Sequence, residues 1–400
     1  MVSYPEGWRE VSLGNIANLT MGQSPLGSSL GSVGVEFHQG HSEFSGKNLG
    51  KSMIRTTTPL RMASCGAIVI SVRAPVGDVA LLDRDVCIGR GLCAVSVGPE
   101  IYRDYLYYSL KAHENTWSEF STGTTFEAVN ADTVRDFCVT IPSLSEQRAI
   151  AEVLSGFDEH LANLDELIMK KKAIRDGAMK ELVSGNSRLG GFGDKWTDIS
   201  FENMVAPKAR IGWQNLRTDE YLDSGYSYII GGTNFSDGTV DLASCKFVSE
   251  ERFRMDPAIQ VNQGDVLVTK DGTIGKVAVV PRLEKPATLN SGVYVFRPVD
   301  GVARRFLYWV LRSDIFDRFI ADLSAGSTIK HLYQKDLGRF HFRAPKDVPE
   351  QEAIADVMSS FEEDLLVLKE ERKKVERLKL GAMDDLLTGR VRLTIEEEAA

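Results

Sequence analysis

Apolar residues step by three and four through two stretches of the chain. In residues 145–189 they fall at Ile150, Val153, Phe157, Leu161, Leu164 and Ile168; in residues 349–393 they fall at Ile354, Val357, Phe361, Leu365 and Leu368. This spacing marks the seam of a long amphipathic helix. Each stretch predicts a helix of roughly 35–40 residues, or about 55–60 Å at 1.5 Å per residue. Ser145 and Glu146, just after Pro142, suit a helix start, and Gly185 and Gly389 sit where a C-terminal cap would end one. The regions ahead of the helices have a different rhythm. AIVISV (67–72) and DVLVTK (265–270) are short β-branched runs, and VGDVALL and IGKVAVV follow them after tight glycine-containing turns. Helical patterns at 105–120 and 304–323 complete the blocks. Regular strand–helix alternation is missing, so the blocks read as α+β modules and not as a doubly wound sheet.

These patterns are one plan written twice. Residues 145–189 align without gaps on 349–393, and nearly half the positions are identical, including Glu146-Gln147 with Glu350-Gln351 and Gly177-Ala178-Met179 with Gly381-Ala382-Met383. The preceding blocks correspond more loosely. GWREVSLGNIA (7–17) pairs with KWTDISFENMV (195–205), YLYYSL (105–110) with FLYWVL (306–311), and GTTFEAV (123–129) with GSTIKHL (326–332). The predicted division is a block at 1–144, a helix at 145–189, a block at 190–348, a helix at 349–393 and an acidic tail at 394–400. A helix with such a seam must bury it, and its natural partner is the other copy. The expected architecture is α+β: two globular domains separated by two long helices packed as an antiparallel coiled coil, in a pseudo-twofold internal repeat. Tyr105, Tyr107, Tyr108, Phe306, Tyr308 and Trp309 lie at helical spacing and read as core.

Charge adds little at first. The formal net charge is −9, and acid concentrates towards the C-terminal end. Residues 1–144 carry 11 basic and 14 acidic side chains, and residues 190–348 carry 21 and 20; neither block's composition shows a basic face. The five cysteines lack C-x-x-C spacing, which points to reduced thiols in a cytoplasm. Neither a secretory signal nor a run long enough for a membrane helix is found, so no membrane association is expected.

A catalytic set does not emerge. GSSLGSVG (27–34) does not follow a strand, and DGTIGK (271–276) lacks phosphate-loop spacing and reads as a turn. The Asp/Asn-Pro-Pro-aromatic quartet of amino-methyltransferases is missing. Glu371 and Lys373 lie on the seam helix, where such charges are routine. The six histidines show no metal spacing, so no metal is expected. Lys170, Lys171, Lys172 and Arg175 read as a solvated helix face. Gly177 and Gly381 are costly inside a helix, about 1 kcal/mol each against alanine. Close helix packing would explain them, and so would a surface, with Met179 and Met383, on which another chain docks.

IPSLSEQRAIAEVLSGFDEHLANLD and VPEQEAIADVMSSFEEDLLVLKE resemble the two helical regions of type I restriction-modification specificity subunits. GDVLVTKDGTIGKVAVV and GSTIKHL resemble pieces of that family's target-recognition domains. The first block departs from the pattern: Ser71-Val72-Arg73-Ala74-Pro75-Val76-Gly77 stands where the family has a Gly-x-x-Gly turn, and Glu127-Ala128 stands for Lys330-His331. The resemblance implies a non-catalytic subunit that binds double-stranded DNA. Each block would read half of a bipartite, asymmetric site, with the helices setting the spacer. It also implies two modification (methyltransferase) subunits that carry the S-adenosylmethionine, restriction subunits that cleave, and no cofactor on this chain. Base reading favours Arg, Lys, Asn, Gln, Ser and Thr on turns. In the second block the candidates are Lys270, Asp271, Thr273, Ser327, Thr328, Lys330 and His331, then Lys208 and Arg210. In the first they are Arg73, Thr124 and Thr125, then Lys47, Lys51 and Arg55. For each, an exposed charge or turn residue without a role is the alternative. The rival reading of the whole chain is a self-assembling coiled-coil scaffold or a stand-alone DNA-acting enzyme; a second, diverged block beside each helix argues against a plain oligomeriser.

Overall fold

The structure, a computed structural model, describes residues 5–40, 43–44, 46–120, 128–201, 205–210, 216–298, 301–324 and 331–394. Each block is built on four antiparallel strands in the same order. In the first block Ala17–Met21, Leu92–Val97, Ile68–Ser71 and Val79–Leu81 lie side by side; in the second the order is Val205–Ala209, Val293–Pro298, Val266–Thr269 and Val277–Val279, extended by two short strands. A second sheet in each block also matches, with a parallel pair at its centre: Val35–His38 beside Val86–Ile88, and Ser227–Ile230 beside Ala287–Leu289. The central strands read as continuous apolar runs because both their faces are covered. Successive side chains point to opposite faces. Ile68 and Ile70 therefore join the core that holds the block's helix, while Val69 joins a second cluster with Leu49, Leu82 and Ile88. Val266 and Val268 are likewise separated from Leu267.

Helix α1 (Arg103–Ala112) closes the first core with Tyr105, Tyr107 and Tyr108. The first seam forms α2 (Leu144–Leu182). Helix α3 (Arg304–Leu311) places Phe306 and Trp309 in the second core, and the second seam forms α4 (Val348–Leu387). The chain falls into two compact units, residues 1–165 with 370–400, and residues 166–369. Each unit therefore holds one block and one part of each long helix, so the unit boundaries fall inside the helices. Within the first unit Ile150 and Leu154 share a core with Met383 and Leu386, and Asp158 pairs with Lys379 (2.5 Å) and Asp165 with Arg372 (2.6 Å). Within the second, Val183 shares a core with Ile354 and Met358, and Lys171 pairs with Asp364 and Arg175 with Glu362, both at 2.8 Å. Partner numbers rise on one helix as they fall on the other, so the helices pack antiparallel in both units. Two seam expectations change. Val153 is exposed and Leu154 is buried, because the inward face turns towards the block. Lys171 and Arg175 are not a free cationic face; they are tied to carboxylates on α4.

The repeated Glu-Gln at the helix starts has a structural task. Glu146 and Glu350 are buried, and each accepts two hydrogen bonds from an arginine just beyond the end of the other long helix: Arg392 on Glu146 (3.0 and 2.8 Å) and Arg188 on Glu350 (2.9 and 2.5 Å). The glutamines tie each helix start to the loop before the block's own helix. Gln147 accepts from the Tyr102 amide (2.7 Å) and Gln351 from the Ala303 amide (2.7 Å); their amide groups donate to the carbonyls of Glu100 and Pro142, and of Gly301 and Pro345. The predicted caps are present: Gly185 and Gly389 have φ of +76° and +72°. A side chain at Gly185 would strike the Trp196 ring at 2.7 Å, and one at Gly389 would strike Pro5 at 2.6 Å.

Candidate nucleic-acid interface

The turn after each block's central strand is held by the same hydrogen bonds, although the backbone between them differs: the first contains a cis Ala74–Pro75 bond and the second a left-handed Gly272 at φ +70°. In the first block the Ser71 hydroxyl donates to the Pro75 carbonyl (2.8 Å) and accepts from the Asp78 amide (2.9 Å). In the second the Thr269 hydroxyl donates to the Thr273 carbonyl (2.6 Å) and accepts from the Lys276 amide (2.9 Å). Gly77 and Gly275 donate back to the carbonyls of Ser71 and Thr269, both at 2.9 Å. A hydroxyl at the strand end thus satisfies backbone groups that a tight turn would otherwise leave open. The next residues match too. Val72 and Lys270 donate to the carbonyls of Gly91 and Gly292, and accept from the amides of Val129 and Leu332. Bridges then join Arg73 to Ala128 and Asp271 to His331. The departure of the first block from the Gly-x-x-Gly pattern therefore leaves the turn's hydrogen bonds unchanged.

What the turns present differs. Arg73 is exposed, and among the described residues no side chain pairs with its guanidinium. At the matching position Asp271 Oδ1 lies 2.6 Å from Nδ1 of the exposed His331. Thr273 is exposed, and Lys270 lies with Nζ 5.5 Å from the centre of the Tyr294 ring. Tyr333 is exposed next to His331, with Lys335 over its ring. Ser327, Thr328, Lys330, Thr124 and Thr125 lie outside the described residues.

Other candidates divide sharply. Lys208, Lys51 and Arg55 are exposed, Arg55 donating to the Gly34 carbonyl. Lys47 and Arg210 are corrected. Lys47 is bound within its unit, donating to the Tyr108 hydroxyl (3.0 Å) and Ser155 Oγ (2.9 Å), and so joins the block to α2. Tyr108 in turn donates to Asp158, and burial together with that carboxylate pushes its phenol well above the usual range. Arg210 is buried, donating to the Leu289 carbonyl (3.0 Å), and burial lowers its pKa. Among the docking candidates, Gly177 and Gly381 are exposed with open space where a side chain would project. Met179 is half-buried and Met383 is core, so Met383 is corrected: it packs inward because its position on α4 faces the first block's aromatics.

One stretch of the first block is poor in acid. Between residues 11 and 77 the chain has five basic side chains and only two acidic ones, Glu36 and Glu43. Glu36 is buried and accepts from both Arg84 Nε (3.0 Å) and Nη2 (2.6 Å); the Arg84 guanidinium, with help from the Ser52 amide and His38, holds its carboxyl down at about 2. Glu43 is half-buried near His38. Burial lowers the pKa of His38, despite its 2.9 Å contact with Glu36. The exposed surface of this segment is left with Lys51, Arg55, Arg61 and Arg73, together with the exposed apolar residues Met53, Ile54, Leu60 and Met62. Arg61 and Arg90, both exposed, were missed from sequence; the signal for Arg61 was the acid-free run KSMIRTTTPLRM (51–62). Among the described residues there is no group of three or more His, Cys, Asp or Glu able to hold a metal ion, and no helix is long and apolar enough to cross a membrane.

Comparison with known proteins gives one answer. The type I restriction modification DNA specificity domain matches at residues 5–170 and again at 214–377. The MjaVIII specificity subunit of Methanocaldococcus jannaschii is 21% identical over 406 residues, covering 97% of this chain and 94% of that protein. The EcoBI specificity subunit of Escherichia coli is 19% identical over 398 residues, covering 90% and 81%. A restriction-modification S subunit from M. genitalium superimposes with a TM-score of 0.62 at 19% identity, covering 97% of both chains. A chain from a study of complex assembly in a type I system gives 0.62 at 17% identity, covering 97% of this chain and 100% of its own. At these identities the structures establish the fold.

Proposed function

Because this chain belongs to the type I restriction-modification DNA specificity family, we propose that each of its two blocks reads one half of a bipartite, asymmetric DNA site. The observation that carries this is the turn built twice: one hydrogen-bonded scaffold holding an exposed arginine in one block and a carboxylate–imidazole pair in the other. A shared frame with unlike tips suits two unlike half-sites. The acid-poor exposed surface of residues 11–77 supports the same reading, since the chain as a whole is acidic and a polyanion needs such a face.

The paired helices set the spacer between half-sites. At 39 and 40 residues they reach about 60 Å, which bounds the span at roughly 17 base pairs for about 3.4 Å per pair. Two methyltransferase subunits dock on the chain, carry the S-adenosylmethionine and flip the target base. Restriction subunits join for cleavage. The chain itself specifies and does not catalyse, and it acts in the cytoplasm. Sequencing the methylome of a host with and without the chain tests this: a bipartite methylated motif must vanish with it. Replacing residues 190–348 by another member's block is expected to change one half-site only. A change in both halves, or methylation by the purified chain alone, refutes the reading.

A further inference from the structure

The two turns occupy corresponding places in their blocks, so their tips are directly comparable. Arg73 and Asp271 are equivalent by every backbone hydrogen bond around them: the hydroxyl hub before, the glycine after, and the bridge to Ala128 or His331. Their chemistry is opposite. Arg73 offers a planar fork of donors with no acceptor of its own, and among the described residues nothing engages it. Asp271 and His331 form a unit. In the neutral tautomer that carries its proton on Nδ1, facing Asp271 Oδ1, the imidazole presents Nε2 as an acceptor, and the second carboxylate oxygen is an acceptor as well.

We propose that these matched positions read opposite base edges in the two half-sites: Arg73 selects a guanine through its O6 and N7 acceptors, and the Asp271–His331 pair selects a base presenting an exocyclic amino group, adenine or cytosine. The major groove distinguishes these patterns. Guanine shows two acceptors to an arginine fork, whereas adenine N6 and cytosine N4 donate. Asp271 fixes the imidazole orientation, and in that neutral tautomer His331 supplies an edge that a guanine O6 would repel. The charge contrast also explains why the two blocks can share a scaffold while their sites stay asymmetric. This inference rests on the DNA-reading role proposed above.

The test is the methylome of the host carrying the chain with its own partner subunits, compared across Arg73→Gln, Asp271→Arg and His331→Ala. Arg73→Gln is expected to relax one guanine in one half-site by about tenfold or more, with the other half unchanged. Asp271→Arg is expected to move one position of the other half from adenine or cytosine to guanine, and His331→Ala to relax that same position. A motif unmoved by Arg73→Gln and Asp271→Arg overturns the assignment. So does a folded variant, judged by thermal melting, that loses methylation at every site equally. If Arg73→Gln fails to fold, Arg73→Lys replaces it: a weakened preference at that one guanine supports the proposal and an unchanged one overturns it. A wild-type chain yielding no bipartite motif defeats the DNA-reading role itself; a normal wild-type motif with unmoved variants defeats only this inference.

Discussion

Replacing Gln351 by alanine would separate the block-to-helix joint from everything else in the second unit. The side chain is fully buried and makes three hydrogen bonds: from the Ala303 amide at 2.7 Å, and to the carbonyls of Gly301 and Pro345 at 2.9 Å each. Each such bond is worth about 0.5–1.5 kcal/mol net, and an orphaned buried amide costs about 1–3 kcal/mol. The truncation is therefore expected to cost roughly 2–4 kcal/mol. For a unit of this size that corresponds to a drop in Tm of roughly 5–15 °C, at about 2–4 °C per kcal/mol. Gln351→Glu should be worse still. It keeps the acceptor for the Ala303 amide but sets a carboxylate oxygen against two carbonyls. Urea titration followed by tryptophan fluorescence measures both, with Gln147→Ala as the matching change in the first unit. If Gln351→Ala stays within about 0.5 kcal/mol of the wild type, a loss smaller than one such bond, the repeated Glu-Gln is not holding the joint and the account of why it recurs is wrong.

Further outcomes follow from the same contacts. Gly185→Ala and Gly389→Ala each force a left-handed conformation on a residue with a side chain and push it into Trp196 or Pro5, so each should cost at least about 1–2 kcal/mol by thermal melting. Gly177→Ala has open space and should stabilise the isolated chain by about 1 kcal/mol while weakening co-purification of the methyltransferase subunit; unaltered co-purification would remove Gly177 from the docking surface. Arg210→Met should lower the urea midpoint and leave the methylated motif unchanged, since Arg210 bonds inward. Glu36 has its pKa held at about 2 in the fold against an ordinary 4.5, so its contribution is complete above 4.5 and is lost as pH falls towards 2; Arg84→Met should flatten that acid limb. His38 is lowered from 6.5, so the unfolded chain takes up its proton first. Stability from His38 is full above 6.5 and declines as pH falls below it, and His38→Gln should remove that slope from urea midpoints measured between pH 7.5 and 5.

The helices, their caps and the paired strands around each turn were legible because they follow from local periodicity and from glycine at positions that need φ > 0. The aromatic runs at 105–110 and 306–311 were legible as core for the same reason. The candidate interface was only partly so. Arg73 and Asp271 could be placed at corresponding positions of a turn from sequence, with His331 a separate candidate, but the contact between Asp271 and His331, and the Ser71 and Thr269 hydrogen bonds that hold the two turns, came only from the structure.

The sequence by itself determined that one plan is written twice, that long amphipathic helices alternate with β-rich blocks, and that the repeated segments outlast the blocks in similarity. The elements depend on residues within a few turns or strands of one another, and the repeat is read by comparing residues 145–189 with 349–393 directly. Only the tertiary structure decided which cations face water. Lys47 and Arg210 look like Lys51 and Arg55 in sequence, yet the first pair is consumed by internal acceptors and the second is exposed. It also decided that Glu146 and Glu350 meet arginines 246 and 162 residues away, and that Glu36, one of the two acids between residues 11 and 77, turns inward onto Arg84. The physical reason is that burial and pairing depend on which distant groups the fold brings together, whereas composition averages charge over faces that never meet the same partner.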